Sequence, residues 1–296
     1  MLFPESRAAV EAYLAGPQVT DPGYSIDAER ARAHQEALAA DREEVEHVEE
    51  VDAYGVPCRL YVPADASPGL ILHFHGGGFV FNDVEVHDPS CRRLANRSRT
   101  AVLSVEYRRP PEHRFPAAVD DIGAVLRWID DSASEARLSG PQYVHGDSAG
   151  GNLALVAALR NPGRFAAVAL IYPFLDPTAA GASYTSVADG FSAAEAAWYW
   201  QQYAACDADL SNPDLAPLLS EHLATLPPTL VVTCEHDPLR DEGEELARRL
   251  ADLGVAVVST RYQGQVHGIW RHPDVFASAE PMMRQVAGFL TQHPSH

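Results

Sequence analysis

What most restricts the folding of this 296-residue chain is a long alternation of apolar, strand-sized segments with helical ones. Leu70–Phe74, Ala101–Tyr107, Gln142–His145, Ala167–Tyr172, Thr229–Cys234 and Val255–Tyr262 read as strands. Pro89–Ser98, Ala117–Asp131, Ala149–Arg160 and Glu242–Leu253 read as helices that separate most of them. Strands that are apolar along their whole length are buried on both faces, so helices must cover both sides of a mostly parallel sheet. Two earlier segments, Val45–Val51 and Cys58–Val62, meet around Tyr54-Gly55 as an antiparallel hairpin. The expected fold class is therefore α/β, with a mixed, mostly parallel sheet of eight strands flanked by helices.

Two regions break that rhythm. Residues 1–45 read as two helices, Ser6–Leu14 and Asp27–Ala40, separated by Gly- and Pro-rich breaks at Gly16-Pro17 and Asp21–Gly23. Leu175–Pro228 is longer than the other crossovers and carries an aromatic helix around Trp198, Tyr199 and Trp200. Residues 1–45 and a second segment at about 180–220 are expected to form a helical cap over the carboxyl edge of the sheet, leaving 46–296 as the main domain.

Charge narrows the choice of partners. The net charge is −19, and all 22 basic residues are arginines. Nucleic acid and anionic membranes both require a cationic face, so neither is an expected partner. No apolar run has membrane-spanning length and no basic-then-apolar leader opens the chain, so a cytoplasmic protein without membrane insertion is expected. Cys58, Cys91, Cys206 and Cys234 have no CxxC spacing, and the 13 histidines show no HExxH or paired spacing. No metal and no cofactor is expected.

Chemistry concentrates where the strands end. After Gln142–His145, Gly146-Asp147-Ser148-Ala149-Gly150 fits G-x-S-x-G, where glycines two positions to either side of the serine allow a turn too sharp for larger side chains. Serine needs a base, a group that orients the base, and donors for the oxyanion. In a parallel sheet these converge at the carboxyl ends of strands. Leu70–Phe74 runs into His75-Gly76-Gly77-Gly78, where uncovered backbone N–H groups of Gly77 and Gly78, with that of Ala149, are the expected oxyanion donors. His75 is read as a structural hydrogen-bonding residue. Asp237 follows Thr229–Cys234, with Glu235, His236 and Asp241 as rivals by position, and His267 follows the last strand in a Gly-flanked loop. Asp147 lies too close to Ser148 along the chain to reach behind His267 and is read as a turn-stabilising residue.

These motifs resemble those of the hormone-sensitive-lipase-like branch of the α/β-hydrolase superfamily. The matching stretches are His75–Gly78, Tyr107–Asp121, Gly146–Gly151, Asp237–Gly243 and His267-Gly268, in family order. The resemblance implies an α/β-hydrolase fold of the bacterial carboxylesterase type and selects Asp237, the first acid of DPLRDEG, to partner His267. It makes Asp241 and Glu242 structural. Arg109 and Pro110 stand where the family more often has Leu and Ala.

The expected function is that of a serine carboxylesterase acting on uncharged, short- to medium-chain esters through an acyl-enzyme on Ser148. Phe79, Phe81, Trp198 and Tyr199 are the candidate substrate contacts. A deacetylase, amide or carbamate hydrolase of secondary metabolism is an alternative, as is a non-catalytic receptor on the same fold. Such receptors lose a triad member, whereas Ser148, Asp237 and His267 are all present. The last strand, an edge without Pro or Lys, is expected to join a second copy in a homodimer.

Overall fold

The computed structural model describes residues 1–132, 138–187 and 189–293. After helices α1 (Pro4–Ala15) and α2 (Ile26–Leu38), the chain forms strands β1 (His47–Asp52), β2 (Pro57–Val62) and β3 (Ser67–Phe74). Then follow α3 (Val84–Ser98), β4 (Thr100–Val105), α4 (Ala117–Asp131), β5 (Gln142–Asp147), α5 (Ala149–Arg160) and β6 (Phe165–Ile171). Helices α6 (Ser183–Ser186) and α7 (Ala193–Tyr203) precede β7 (Thr229–His236), α8 (Arg240–Asp252), β8 (Val257–Val266) and α9 (Ala279–Thr291).

The strands make one eight-stranded sheet in the order β1-β2-β4-β3-β5-β6-β7-β8. The opening hairpin is antiparallel, pairing His47 with Val62, and β2 runs antiparallel to β4. From β4 across to β8 every pairing is parallel. Because side chains alternate across a strand, Leu70, Leu72 and Phe74 enter one core layer while Ile71 enters the other. The first layer packs α4, α5 and α8; the second packs α3 and α9 through Cys91, Leu94, Met282, Met283 and Val286.

Element ends shift by a few residues from expectation, and the two largest shifts have local reasons. Helix α3 starts at Val84, not at Pro89: the Asp83 side chain accepts from Val86 N–H at 2.8 Å and caps an extra turn, which the proline then continues. Strand β8 runs on to Val266 instead of ending at Tyr262. Its register with β7 shifts between Cys234 and His236, so that His236 pairs with Val266. Gly264 absorbs the irregularity at φ +69°, with its N–H held by Glu235 Oε2 at 2.7 Å. Among the described residues no helix is long and apolar enough to cross a membrane.

Candidate active site

The turn between β5 and α5 is as tight as its glycines require. A Cβ on Gly146 would come within 2.1 Å of Gly150 O, and one on Gly150 within 2.0 Å of Phe74 O. Ser148 sits at φ 55°, ψ −122°, a conformation that costs about 1–3 kcal/mol and lifts its side chain out of the backbone path.

Each neighbour of that serine arrives from the end of another strand. The His236–Val266 pairing brings the next residue on each strand, Asp237 and His267, side by side. His267 Nδ1 lies 2.7 Å from Asp237 Oδ2, and His267 Nε2 lies 3.0 Å from Ser148 Oγ. A carboxylate accepts only, so Nδ1–H donates to it and Nε2 is left to accept from the serine hydroxyl. Asp237 is fully buried, and its other oxygen accepts from Leu239 N–H at 2.9 Å. Its positional rivals are engaged elsewhere. Glu235 holds Gly264 N–H, His236 Nδ1 lies 2.7 Å from Asp189 Oδ2, and Asp241 accepts from Ser183 N–H at 2.8 Å.

The glycine loop after β3 lies beside the serine. Gly77 has φ +118° and Gly78 φ +59°, and a Cβ on Gly78 would meet the Tyr199 ring at 2.2 Å. Among the described residues the N–H groups of Gly77, Gly78 and Ala149 donate to no protein acceptor. The loop is tied down from two sides: Asn82 Nδ2 donates to Gly76 O at 3.1 Å, and Gly76 N–H donates to Asp147 Oδ1 at 3.0 Å. Burial pushes the Asp147 carboxyl above its ordinary range, opposed by the Arg271 charge.

Beneath the loop lies a buried histidine cluster that sequence spacing does not reveal. His73 Nδ1 is 2.9 Å from His145 Nδ1, and His73 Nε2 is 3.2 Å from His87 Nδ1. Burial holds His75 and His145 down to about 3, so both imidazoles are neutral. His75 stacks on Tyr107 at 4.2 Å, whose hydroxyl donates to His75 O. Ligand atoms of His73, His87 and Asp147 lie within 4.8 Å of one another, the group among the described residues with spacing for a metal ion.

A cavity of about 360 Å³ opens onto Ser148 and His267. Tyr199 lines it; Phe79, Phe81 and Trp198 do not. Phe79, at φ 65°, turns its ring into the core and stacks on Tyr203 at 3.8 Å. Phe81 and Trp198 stack on each other at 6.2 Å in a small cluster with Val19, Tyr24 and Ile26, joining α7 to the N-terminal helices. The walls instead use Ala9, Val10 and Tyr13 of α1, with Phe174, Phe191 and Arg271. The Tyr13 hydroxyl donates to Glu195 of α7, so the two parts outside the sheet alternation touch above the serine.

Residues 71–271 match the model of the alpha/beta hydrolase fold family. The chain belongs to that family, in its hormone-sensitive-lipase-like carboxylesterase branch. Among α/β-hydrolases it is 32% identical to an arylesterase of Saccharolobus solfataricus, over 92% of this chain and 93% of that protein. It is 31% identical to an ethyl acetate hydrolase of Pseudomonas putida, over 99% of each. The solved structure of an esterase from Pyrobaculum calidifontis superposes with a TM-score of 0.90 at 34% identity, covering 99% of both chains.

Proposed function

We propose that this α/β-hydrolase is a serine carboxylesterase that cleaves short carboxylic esters through an acyl-enzyme on Ser148. The observation that carries the reading is the His267 imidazole between Asp237 and Ser148, at 2.7 and 3.0 Å, beside three N–H groups that have no acceptor among the described residues. His267 Nε2 takes the hydroxyl proton as Ser148 Oγ attacks the ester carbonyl, and Asp237 stabilises the resulting imidazolium. The carbonyl oxygen, now anionic, is received by the N–H groups of Gly77, Gly78 and Ala149. His267 returns the proton to the departing alcohol. Water, deprotonated by the same imidazole, then attacks the acyl-serine and releases the acid.

Cavity size and its wall set the substrate range. About 360 Å³ is at the small end for ligand clefts and suits short acyl and alcohol groups. Tyr199, Phe174 and Phe191 supply the apolar part of the wall. Residues 1–45 and about 180–220 act as the cap, each contributing to the cavity: Tyr13 from the first, Tyr199 from the second. The homodimer reading rests on the terminal place of β8 in the sheet.

The test is a series of ethyl esters from acetate to decanoate, with mass spectrometry of quenched reactions. Turnover that peaks at short chains, with an acyl adduct on the peptide bearing Ser148, supports the reading. Hydrolysis without any adduct on that peptide, or none of any ester, overturns it.

A further inference from the structure

The cavity contains a cation that the acyl-transfer chemistry does not use. Arg271 lines the same cavity as Ser148, Gly77 and His267. Among the described residues no acceptor takes a hydrogen bond from its guanidinium and no carboxylate pairs with it. The other charged groups on the wall are already engaged. Asp189 has His236 at 2.7 Å, and Asp147 accepts from Gly76 N–H.

The position of Arg271 is built rather than incidental. It ends a 3-10 turn, Ile269–Arg271, whose Ile269 and Trp270 side chains are fully buried. The side chain of Arg93, itself buried, donates to the backbone carbonyls of Trp270 and Arg271, both at 3.2 Å. The main chain at Arg271 is thus anchored while its side chain is left to the cavity. Asp147 is near enough to feel the Arg271 charge but makes no ion pair with it, so the partly buried guanidinium keeps its hydrogen-bonding fork free, and that planar fork suits a carboxylate.

We infer that Arg271 selects esters carrying a carboxylate, of the class of monoesters of short dicarboxylic acids, with the free carboxylate on the Arg271 fork and the ester carbonyl at Ser148. The inference rests on the esterase reading above and narrows it, replacing wholly uncharged esters with ones whose far end is anionic. Attack, proton transfer and deacylation are unchanged; the products are a dicarboxylate and an alcohol.

Monoethyl glutarate and ethyl valerate form a matched pair, differing by a carboxylate in place of a terminal methyl. The ratio of their kcat/KM values is measured for wild type, Arg271→Met and Arg271→Lys by pH-stat titration. Wild type favours the glutarate, Arg271→Met lowers the ratio roughly 10- to 100-fold, and Arg271→Lys keeps part of it. An unchanged ratio in a folded Arg271→Met protein overturns the inference, as does a wild-type preference for ethyl valerate or for cationic ethyl 5-aminovalerate. Should wild type hydrolyse no ester, the esterase reading fails, and calorimetric binding of monoethyl glutarate then decides separately. Binding to wild type that Arg271→Met loses sustains the anion site; equal binding or none overturns it.

Discussion

Asp147 Oδ1 accepts a hydrogen bond from Gly76 N–H at 3.0 Å, joining the turn that carries Ser148 to the loop that carries Gly77 and Gly78. The turn of the nucleophile and the loop of the proposed oxyanion donors are therefore linked by a side-chain contact between the ends of adjacent strands. Asp147→Ala removes it without touching the Ser148–His267–Asp237 line. Turnover is expected to fall by roughly 10²-fold, comparable to losing one oxyanion donor, while a fluorophosphonate still labels Ser148. Wild-type turnover in a folded variant would show that the contact does not position the loop.

Ser148→Ala keeps the turn, since alanine is no larger than serine, and is expected to cost about 10⁶-fold in turnover. Circular dichroism should be unchanged. A purified variant that retains a few per cent of activity removes Ser148 from the role of nucleophile.

Asp237 and its rival Asp241 separate cleanly. Asp237→Asn is expected to lose about 10⁴-fold in kcat because the imidazole is then held in the wrong tautomer. Asp241→Asn keeps most of its turnover, because Asp241 faces Ser183 N–H and the Arg240 guanidinium instead. Equal losses in two folded variants would contradict the assignment.

Gly78 answers to Tyr199. A methyl at position 78 would collide with the Tyr199 ring at 2.2 Å and occupy a left-handed backbone position. Gly78→Ala should reduce kcat at least roughly 10²-fold by displacing the donor, and Tyr199→Ala in the same chain should recover part of it. Failure of the second change to help would place the damage in the backbone conformation alone.

Histidine burial predicts a pH signature. His145 stays neutral when folded, down to about 3, but titrates near 6.5 when unfolded. Between those values the unfolded chain binds a proton that the native one refuses, so stability is lost as pH falls. The slope is about 1.4 kcal/mol per pH unit for this one group. Urea midpoints from pH 7 to 4 should therefore fall more steeply for wild type than for His145→Phe. Parallel curves would contradict a neutral His145.

Strand β8 pairs with β7 on one side, and its outer edge is partly occupied: Phe3 N–H donates to Gly264 O at 3.0 Å. The stretch Val257–Arg261, where Val258 is exposed, remains for pairing with a second copy. Light scattering should give twice 32.1 kDa, and Val257→Lys should give folded monomers. A wild-type protein of 32.1 kDa at micromolar concentration contradicts the dimer.

What could be read in the sequence was what local chemistry encodes. Apolar strand runs and glycine-flanked polar residues after them need only a few neighbours in the chain, so the sheet and the residues at its carboxyl ends were legible. The cavity wall was not. Tyr13 reaches it from the first helix through tertiary packing, and Arg271, four residues beyond His267, belongs to no motif that marks it as a wall residue. Phe79 shows the opposite failure: it adjoins the glycine loop in sequence, yet its positive φ turns the ring under the loop and onto Tyr203. The His73–His145 contact depends on parallel register between β3 and β5, which spacing along the chain does not display.

Ser148 and His267 lie 119 residues apart, and they meet only when β8 has docked on β7 in its shifted register. Closing a connection of that length is slow compared with forming a local turn or helix. During renaturation, helical signal should return first and ester cleavage last. The time course of recovered turnover would serve as a clock for the arrival of the final strand.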